Sequence, residues 1–217
     1  MDIGAGIAGK LIAFDMDGTL YKSELSFYRA VDIFLERHGL PPTPHEQLRQ
    51  FIGMTSQYFR AWLEELELEI PVSEIKAEFD SIERTCIVQY GGLYEGADST
   101  LRWCRDEGWA LAICSNGSEW YIETILNRFG LTGMIEHVKI PGKERHTKTQ
   151  MLTDLKTVTG AETCVMVGDR HYDITGAQKA GYVSIGAAYG YGPEEIVKAE
   201  HIIQEISEVK GILSHLV

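Results

Sequence analysis

Five stretches of helical periodicity in this chain end in a glycine followed at once by an apolar or small residue: Gly39-Leu40, Gly108-Trp109, Gly130-Leu131, Gly160-Ala161 and Gly181-Tyr182. Glycine enters the left-handed region freely, and an apolar residue after it marks the Schellman closure of a helix. After four of these glycines a short apolar run soon begins. Helix and strand alternating in this way imply a parallel sheet with helices on both faces and right-handed crossovers. The pattern predicts helices over 97–107, 118–129, 147–158, 174–180, 194–199 and 206–216. Strands are expected at 109–114, 137–140, 164–167, 182–185 and 201–203.

An earlier strand stands apart from this series. Leu11-Ile12-Ala13-Phe14 is a continuous apolar run, as expected for a strand covered on both faces. It stops at Asp15-Met16-Asp17-Gly18-Thr19-Leu20. Two carboxylates one residue apart repel each other and raise each other's pKa unless a cation or a shared proton intervenes. Gly18 lets the chain turn away.

Between this strand and the repeating units the sequence is helical throughout. Phe27, Val31, Phe34, Leu35 and His38 share one face, and the helix stops before Pro41-Pro42. Residues 44–51 make a short second helix. Phe59, Trp62, Leu63 and Leu66 mark a third. Ser73 is the expected N-cap of a fourth, which carries the stripe Ile75, Phe79, Ile82 and Cys86. The expected fold class is therefore α/β: a Rossmann-like parallel-sheet core (residues 1–20 and 93–217) with an inserted four-helix subdomain (residues 21–92), the place of a cap domain in the family resemblance given below.

The bulk properties narrow the partners. With 32 acidic against 20 basic residues the formal net charge is −12, and no basic patch suits a nucleic-acid backbone. The four cysteines form no CxxC pair and no zinc spacing, and they read as reduced core residues of a cytoplasmic protein. No window approaches the ~18 apolar residues of a membrane span. Gly4-Ala5-Gly6-Ile7-Ala8-Gly9 satisfies GxGxxG, but a strand follows it where the dinucleotide fingerprint needs one before it.

Ligands of open α/β sheets bind beyond the carboxyl ends of the strands. Three predicted strands end there in useful chemistry: Asp15 and Asp17, then Ser115 and Asn116, then Asp169 with Asp173 four residues on. Carboxylates so grouped suit a hard divalent cation such as Mg²⁺. Ser115 and the amides of a turn opening a helix suit a phosphate oxygen, and Lys148 opens another helix with a positive charge. Taken singly, each of these residues also fits an ordinary cap, turn or solvent-facing role, as His171 does between the two acids. Their coincidence at one end of three strands carries the functional reading.

Asp15-Met16-Asp17-Gly18-Thr19-Leu20, Ser115-Asn116, Lys148 and Gly168-Asp169-Arg170-His171-Tyr172-Asp173 together resemble the four motifs of the haloacid dehalogenase-like hydrolases, over nearly the whole chain. The resemblance is closest to their phosphoglycolate phosphatase-like branch, which Tyr189-Gly190-Tyr191-Gly192 before Pro193-Glu194-Glu195 also resembles. It implies a phosphatase in which Asp15 is the nucleophile and Asp17 the general acid and base. Mg²⁺ would be held by Asp15, the backbone carbonyl of Asp17, and Asp169, with Asp173 and Thr19 supporting. Ser115, Asn116 and Lys148 would hold the phosphoryl group, with Lys143 a rival to Lys148.

Asp17 separates phosphatases of the family from the dehalogenases, which lack the second acid. In the loop Phe51-Ile52-Gly53-Met54-Thr55-Ser56, Ser56 falls near the place where phosphonate-cleaving members carry a lysine. The basic residues of the mutases are also missing there. Arg49, Thr55, Tyr58 and Arg60 are the nearby candidates for substrate contact. The implied substrate is a small phosphorylated metabolite, phosphoglycolate- or nucleotide-like, handled by a monomer or homodimer. A sugar phosphomutase is the alternative, and a non-catalytic binding protein on the same fold a third reading.

Overall fold

The computed structural model describes residues 9–54 and 56–216, apart from the side chains of residues 56 and 57. The GxGxxG stretch falls outside them except for Gly9, and Thr55 also lies outside the described residues.

The chain runs β1 (Lys10–Phe14), α1 (Glu24–Arg37), α2 (His45–Leu48) with a 3-10 turn at Arg49–Phe51, α3 (Ser56–Glu65) and α4 (Val72–Tyr90). It continues through α5 (Ala97–Asp106), β2 (Ala110–Cys114), α6 (Glu119–Arg128), β3 (His137–Lys139), α7 (Lys148–Thr159) and β4 (Thr163–Gly168). The last elements are α8 (His171–Ala180), β5 (Val183–Ala187), β6 (His201–Ile203), a 3-10 turn at Ile206–Glu208 and α9 (Val209–Leu213). Among the described residues six strands form one sheet in the order β3-β2-β1-β4-β5-β6, every pair parallel.

Alternation along β1 divides the core in two. Ile12 and Phe14 face one layer with Leu101, Ile122, Ile125 and Val209 from α5, α6 and α9. Leu11 and Ala13 face the other with Met151, Leu155 and Ala177 from α7 and α8. Both faces are thus covered, which is why the strands are apolar on successive residues.

All five glycines expected to end helices have positive φ, from +63° at Gly39 to +79° at Gly108. Four complete the Schellman pair of bonds. At Gly108, for example, its own N–H donates to Arg105 O at 2.9 Å and Trp109 N–H to Cys104 O at 3.0 Å. Gly160 closes α7 by the simpler single bond to Lys156 O, at 2.9 Å.

The segment between β1 and α5 packs on itself. Phe27, Phe34 and Leu35 of α1, Leu63 of α3, and Ile75, Phe79 and Ile82 of α4 share one apolar cluster separate from both faces of the sheet. Phe79 lies at the centre of its aromatic contacts, 4.6 Å from Phe59 and 5.9 Å from Phe34 between ring centroids.

Three expectations need correction. Pro71, not Ser73, is the N-cap of α4, because its φ of −57° and missing N–H suit the position before Val72. Residues 194–199 form turns rather than a helix. Their side chains are drawn to other elements: Glu195 to Arg170 and His171, and Ile196 into the space over Gly186. Residues 206–216 split into a 3-10 turn and the short α9, the first turn tightened by Glu208, whose carboxylate accepts from Gln204 and Glu205 N–H at 3.1 Å each. Among the described residues no helix is long and apolar enough to cross a membrane.

Candidate active site

The strand order reverses direction at β1: β2 and β3 lie on one side, β4 to β6 on the other. Crevices form at such switch points, beyond the carboxyl ends of the strands. Phe14 is in register with Ile113 of β2 and Val167 of β4, so Asp15, Ser115 and Asp169 emerge at one end of three adjacent strands. Asp15 N–H still donates to Val167 O at 2.9 Å, and Ser115 N–H to Lys139 O at 3.0 Å. Sheet hydrogen bonds therefore hold both residues in place.

The carboxylates of Asp15, Asp169 and Asp173 offer ligand atoms within 4.8 Å of one another, and all three residues are buried. Lys148 neutralises part of this charge. Its Nζ donates to Asp15 Oδ1 at 2.7 Å and to Cys114 O at 2.5 Å, and makes a charge contact with Asp173 Oδ1 at 2.7 Å. Lys148 is the first residue of α7, held in place by the capping box of Thr147 and Gln150. Lys143, the rival, is exposed in the preceding turn.

Three acids against one lysine leave an excess of buried negative charge. Burial pushes the Asp15 carboxyl up to about 7, against the pull of Lys148, and Asp173 and Asp17 raise it further. Burial raises Asp169 well above the ordinary carboxylate range as well, with Asp15 and Asp173 adding to it. Burial alone would lower the Lys148 ammonium, but the charges of Asp15 and Asp173 more than reverse that and hold it protonated.

A divalent cation fits this donor set. Asp169 Oδ1 is buried without a hydrogen-bond partner among the described residues, while Oδ2 accepts from Tyr191 N–H at 2.6 Å. A buried, unsatisfied carboxylate oxygen among other carboxylates is what a hard cation would complete. The approach depends on glycine. At Gly18 (φ +75°) and at Gly190 a Cβ would overlap Asp169. Thr19 Oγ1 is also buried without a partner.

Asp17 turns away from this cluster. Its Oδ1 accepts from Ser23 Oγ and from the hydroxyl of Tyr121, each at 2.5 Å. Burial raises its pKa, and these two hydrogen bonds oppose the rise. The two acids of the motif thus sit in different surroundings, Asp15 against an ammonium and Asp17 against two hydroxyls.

Ser115 is buried, and its Oγ accepts from Gly117 N–H at 3.1 Å. Asn116 spends a side-chain donor on Gly53 O of the helical segment, at 3.1 Å, and so ties that segment to the sheet. Asp173 accepts from Arg170 N–H at 3.1 Å, fixing the turn that carries Asp169. His171 is exposed, as expected, but is the first residue of α8 and lies 2.8 Å from Glu195 through Nδ1.

Asp17 and Tyr121 open onto a cavity of about 170 Å³ between the sheet and the helical segment. Phe27, Phe59 and Phe79 give it an apolar wall, and Lys76, Asp80 and Glu83 line it from α4. Of the four contact residues expected in this segment, Arg60 lines the cavity, whereas Arg49 lies over the Tyr191 ring and Tyr58 is half exposed beside Trp62. Sequence reasoning missed Ser23, Tyr121 and Glu83, and met Tyr191 only as part of the late Tyr-Gly-Tyr-Gly loop, without its contact to Asp169. Tyr121 left a trace as a polar-tipped residue beside the inward Ile122, Ile125 and Leu126.

A parallel α/β core that gathers acids and a lysine at its switch point has the arrangement of an enzyme active site. A family model described as haloacid dehalogenase-like hydrolase matches residues 12–187, and the chain belongs to that family, in its phosphoglycolate phosphatase-like branch. A phosphoglycolate phosphatase of Aliivibrio fischeri is 30% identical over 95% of this chain and 96% of its own length. Among solved structures, a haloacid dehalogenase-like family hydrolase from Streptococcus pneumoniae superposes with a TM-score of 0.79 at 17% identity, over 94% of this chain and 98% of its own. A Thermotoga maritima protein described as a β-phosphoglucomutase also reaches 0.79, at 16% identity, over 96% of this chain and 100% of its own.

Proposed function

We propose that this enzyme is a Mg²⁺-dependent phosphatase that hydrolyses a small phosphomonoester through an aspartyl-phosphate. The observation that carries the proposal is the division of labour between the two acids: Lys148 meets Asp15 at 2.7 Å, while Ser23 and Tyr121 hold Asp17 apart from it. Relatives that are phosphoglycolate phosphatases support the reaction class.

In this reading Asp15 attacks phosphorus and the ester oxygen departs. Asp17, whose raised pKa suits a proton donor, delivers a proton to that oxygen and later takes one from the water that hydrolyses the aspartyl-phosphate. Lys148 orients Asp15 and places positive charge beside the phosphoryl oxygens, which Ser115 and the Asn116 turn also receive. Asp15, the Asp17 carbonyl and Asp169 would hold Mg²⁺, with Asp173 and Thr19 around them. The cation would offset the repulsion between a carboxylate and a phosphate dianion. Residues 21–92 act as a cap over the core (residues 1–20 and 93–217), and their cavity receives the leaving group. Buried, unpaired cysteines suit a cytoplasmic enzyme.

A mutase must also hold a second phosphate in the cap. The two cations lining the cavity are already engaged, Lys76 with Asp80 at 2.6 Å and Arg60 with Glu64 at 3.0 Å, which favours the hydrolase reading. The test is phosphate release from a panel of phosphomonoesters, hexose 1-phosphates included, by wild type and Asp15→Asn with Mg²⁺. Wild type is expected to release inorganic phosphate, and the variant to be slower by about a thousandfold or more. Equal, slow release by both would remove the enzymatic reading, and isomerised sugar without phosphate would favour the mutase.

A further inference from the structure

The cavity above Asp17 has an unusual charge balance for an enzyme whose substrates are anions. Among the described residues, three carboxylates line it: Asp17, Asp80 and Glu83. Asp80 is held by Lys76 at 2.6 Å, and Arg60 is held by Glu64 at 3.0 Å, with its side chain 61% exposed. Both cations that line the cavity among the described residues thus already have a carboxylate partner.

Glu83 has no hydrogen-bond or ion-pair partner among the described residues. It lies on α4 one turn beyond Phe79 and lines the cavity with three rings that pack on one another, Phe27 and Phe59 at 5.2 Å and Phe59 and Phe79 at 4.6 Å. Tyr121 and Trp120 close the side toward the sheet. A carboxyl without a partner among aromatic faces is the chemistry that receives an alkylammonium, through an ion pair and cation–π contact together.

We propose that Glu83 is a specificity-determining residue and that the leaving alcohol carries an ammonium group, so that the enzyme prefers an aminoalkyl phosphate to a carboxyalkyl one. This rests on the phosphatase reading above and names the substrate class of that same site. Burial pushes the Glu83 carboxyl up to about 8, with Asp80 and Asp17 raising it and Lys76 lowering it. Tyr121 from α6 and Arg60 from α3 are the other titratable or charged groups lining the cavity. A bound ammonium would relieve this charge imbalance, whereas a bound carboxylate would add to it.

Three esters that differ only at the tip of a two-carbon leaving group test the proposal: ethanolamine phosphate, ethyl phosphate and phosphoglycolate. Metal-dependent phosphate release is measured at pH about 8.5, on the side of that value that favours the ionised carboxyl. Wild type is expected to give a kcat/KM for ethanolamine phosphate about tenfold or more above the other two. In Glu83→Gln the ratio of ethanolamine phosphate to ethyl phosphate is expected to fall about tenfold, mainly through KM. A ratio is insensitive to partial loss of folded enzyme. Phosphoglycolate cleaved as well as or better than ethanolamine phosphate, or an unchanged ratio in the variant, overturns the proposal and leaves the phosphatase reading standing. Absence of release from all three esters and from p-nitrophenyl phosphate overturns both.

Discussion

The hydroxyl of Tyr121 donates to Asp17 Oδ1 at 2.5 Å, across 104 residues of sequence. With Ser23 on the same oxygen, it fixes which way the second acid of the motif points and opposes the upward push of burial on its pKa.

Removing that donor has a signed consequence. A hydrogen bond to the ionised form lowers a carboxyl pKa, so its loss in Tyr121→Phe raises that of Asp17. If Asp17 must be ionised to activate water, the acidic limb of the rate–pH profile moves to higher pH. The maximal rate is expected to fall by about tenfold. The full profile of kcat against pH, in wild type and variant, measures both.

Lys148 carries the electrostatic balance of the site. Lys148→Met leaves Asp15, Asp169 and Asp173 buried together without their counter-charge. The metal-free protein is expected to lose about 3–5 kcal/mol, the usual result of stripping one partner from a buried ion group. Lys148 pulls against the burial that pushes the Asp15 carboxyl up to about 7, so without Lys148 that carboxyl stands higher still; its protonation as pH falls relieves the repulsion, and part of the loss should return. Urea unfolding in EDTA over a pH series that extends well above that value reads the difference.

The unpartnered Asp169 Oδ1 predicts linkage between metal and stability. Mg²⁺ that binds the folded state alone stabilises it by mass action, about 2.7 kcal/mol at a hundredfold excess over Kd. The Tm of wild type is therefore expected to climb with Mg²⁺, and that of Asp169→Asn to stay flat. Thermal scans over a Mg²⁺ series decide this without any assay of activity.

Glu83 makes stability fall as pH rises. Its folded pKa of about 8 lies above the ordinary 4.5, so the folded state favours the protonated form. That contribution is complete below about 4.5 and is lost as pH climbs toward 8, with a slope of at most ~1.4 kcal/mol per pH unit. Water reaching the cavity makes the true slope smaller. Glu83→Gln cannot ionise, so its stability curve should be flatter over that window, and the two proteins should diverge most near pH about 8. Chemical denaturation at intervals between those limits is the measurement.

Much of the fold was legible because its signals are local. The Gly-apolar pairs ended helices as expected, and the runs 11–14, 109–114 and 164–167 became three adjacent strands. The misses were equally physical. Residues 194–199 have helical periodicity, but the contacts of Glu195 and Ile196 with α8 and β5 outweigh a short helix. Ser73 resembled an N-cap by residue type, yet Pro71 already set the entry angle.

The sequence by itself determined the strand ends. Asp15, Ser115 and Asp169 each follow an apolar run, and parallel strands bring such residues to one edge whatever the loops do. It also offered Lys148 as the lysine of the group, with Lys143 as a rival. Tertiary structure alone decided what each group meets: Lys148 against Asp15 across 133 residues, Tyr121 on Asp17, Tyr191 N–H on Asp169, and Glu83 in an aromatic cavity. Periodicity says which face of a helix turns inward. It does not say what stands opposite, because that depends on how the helical segment seats over the sheet, and distant parts of the chain set that packing.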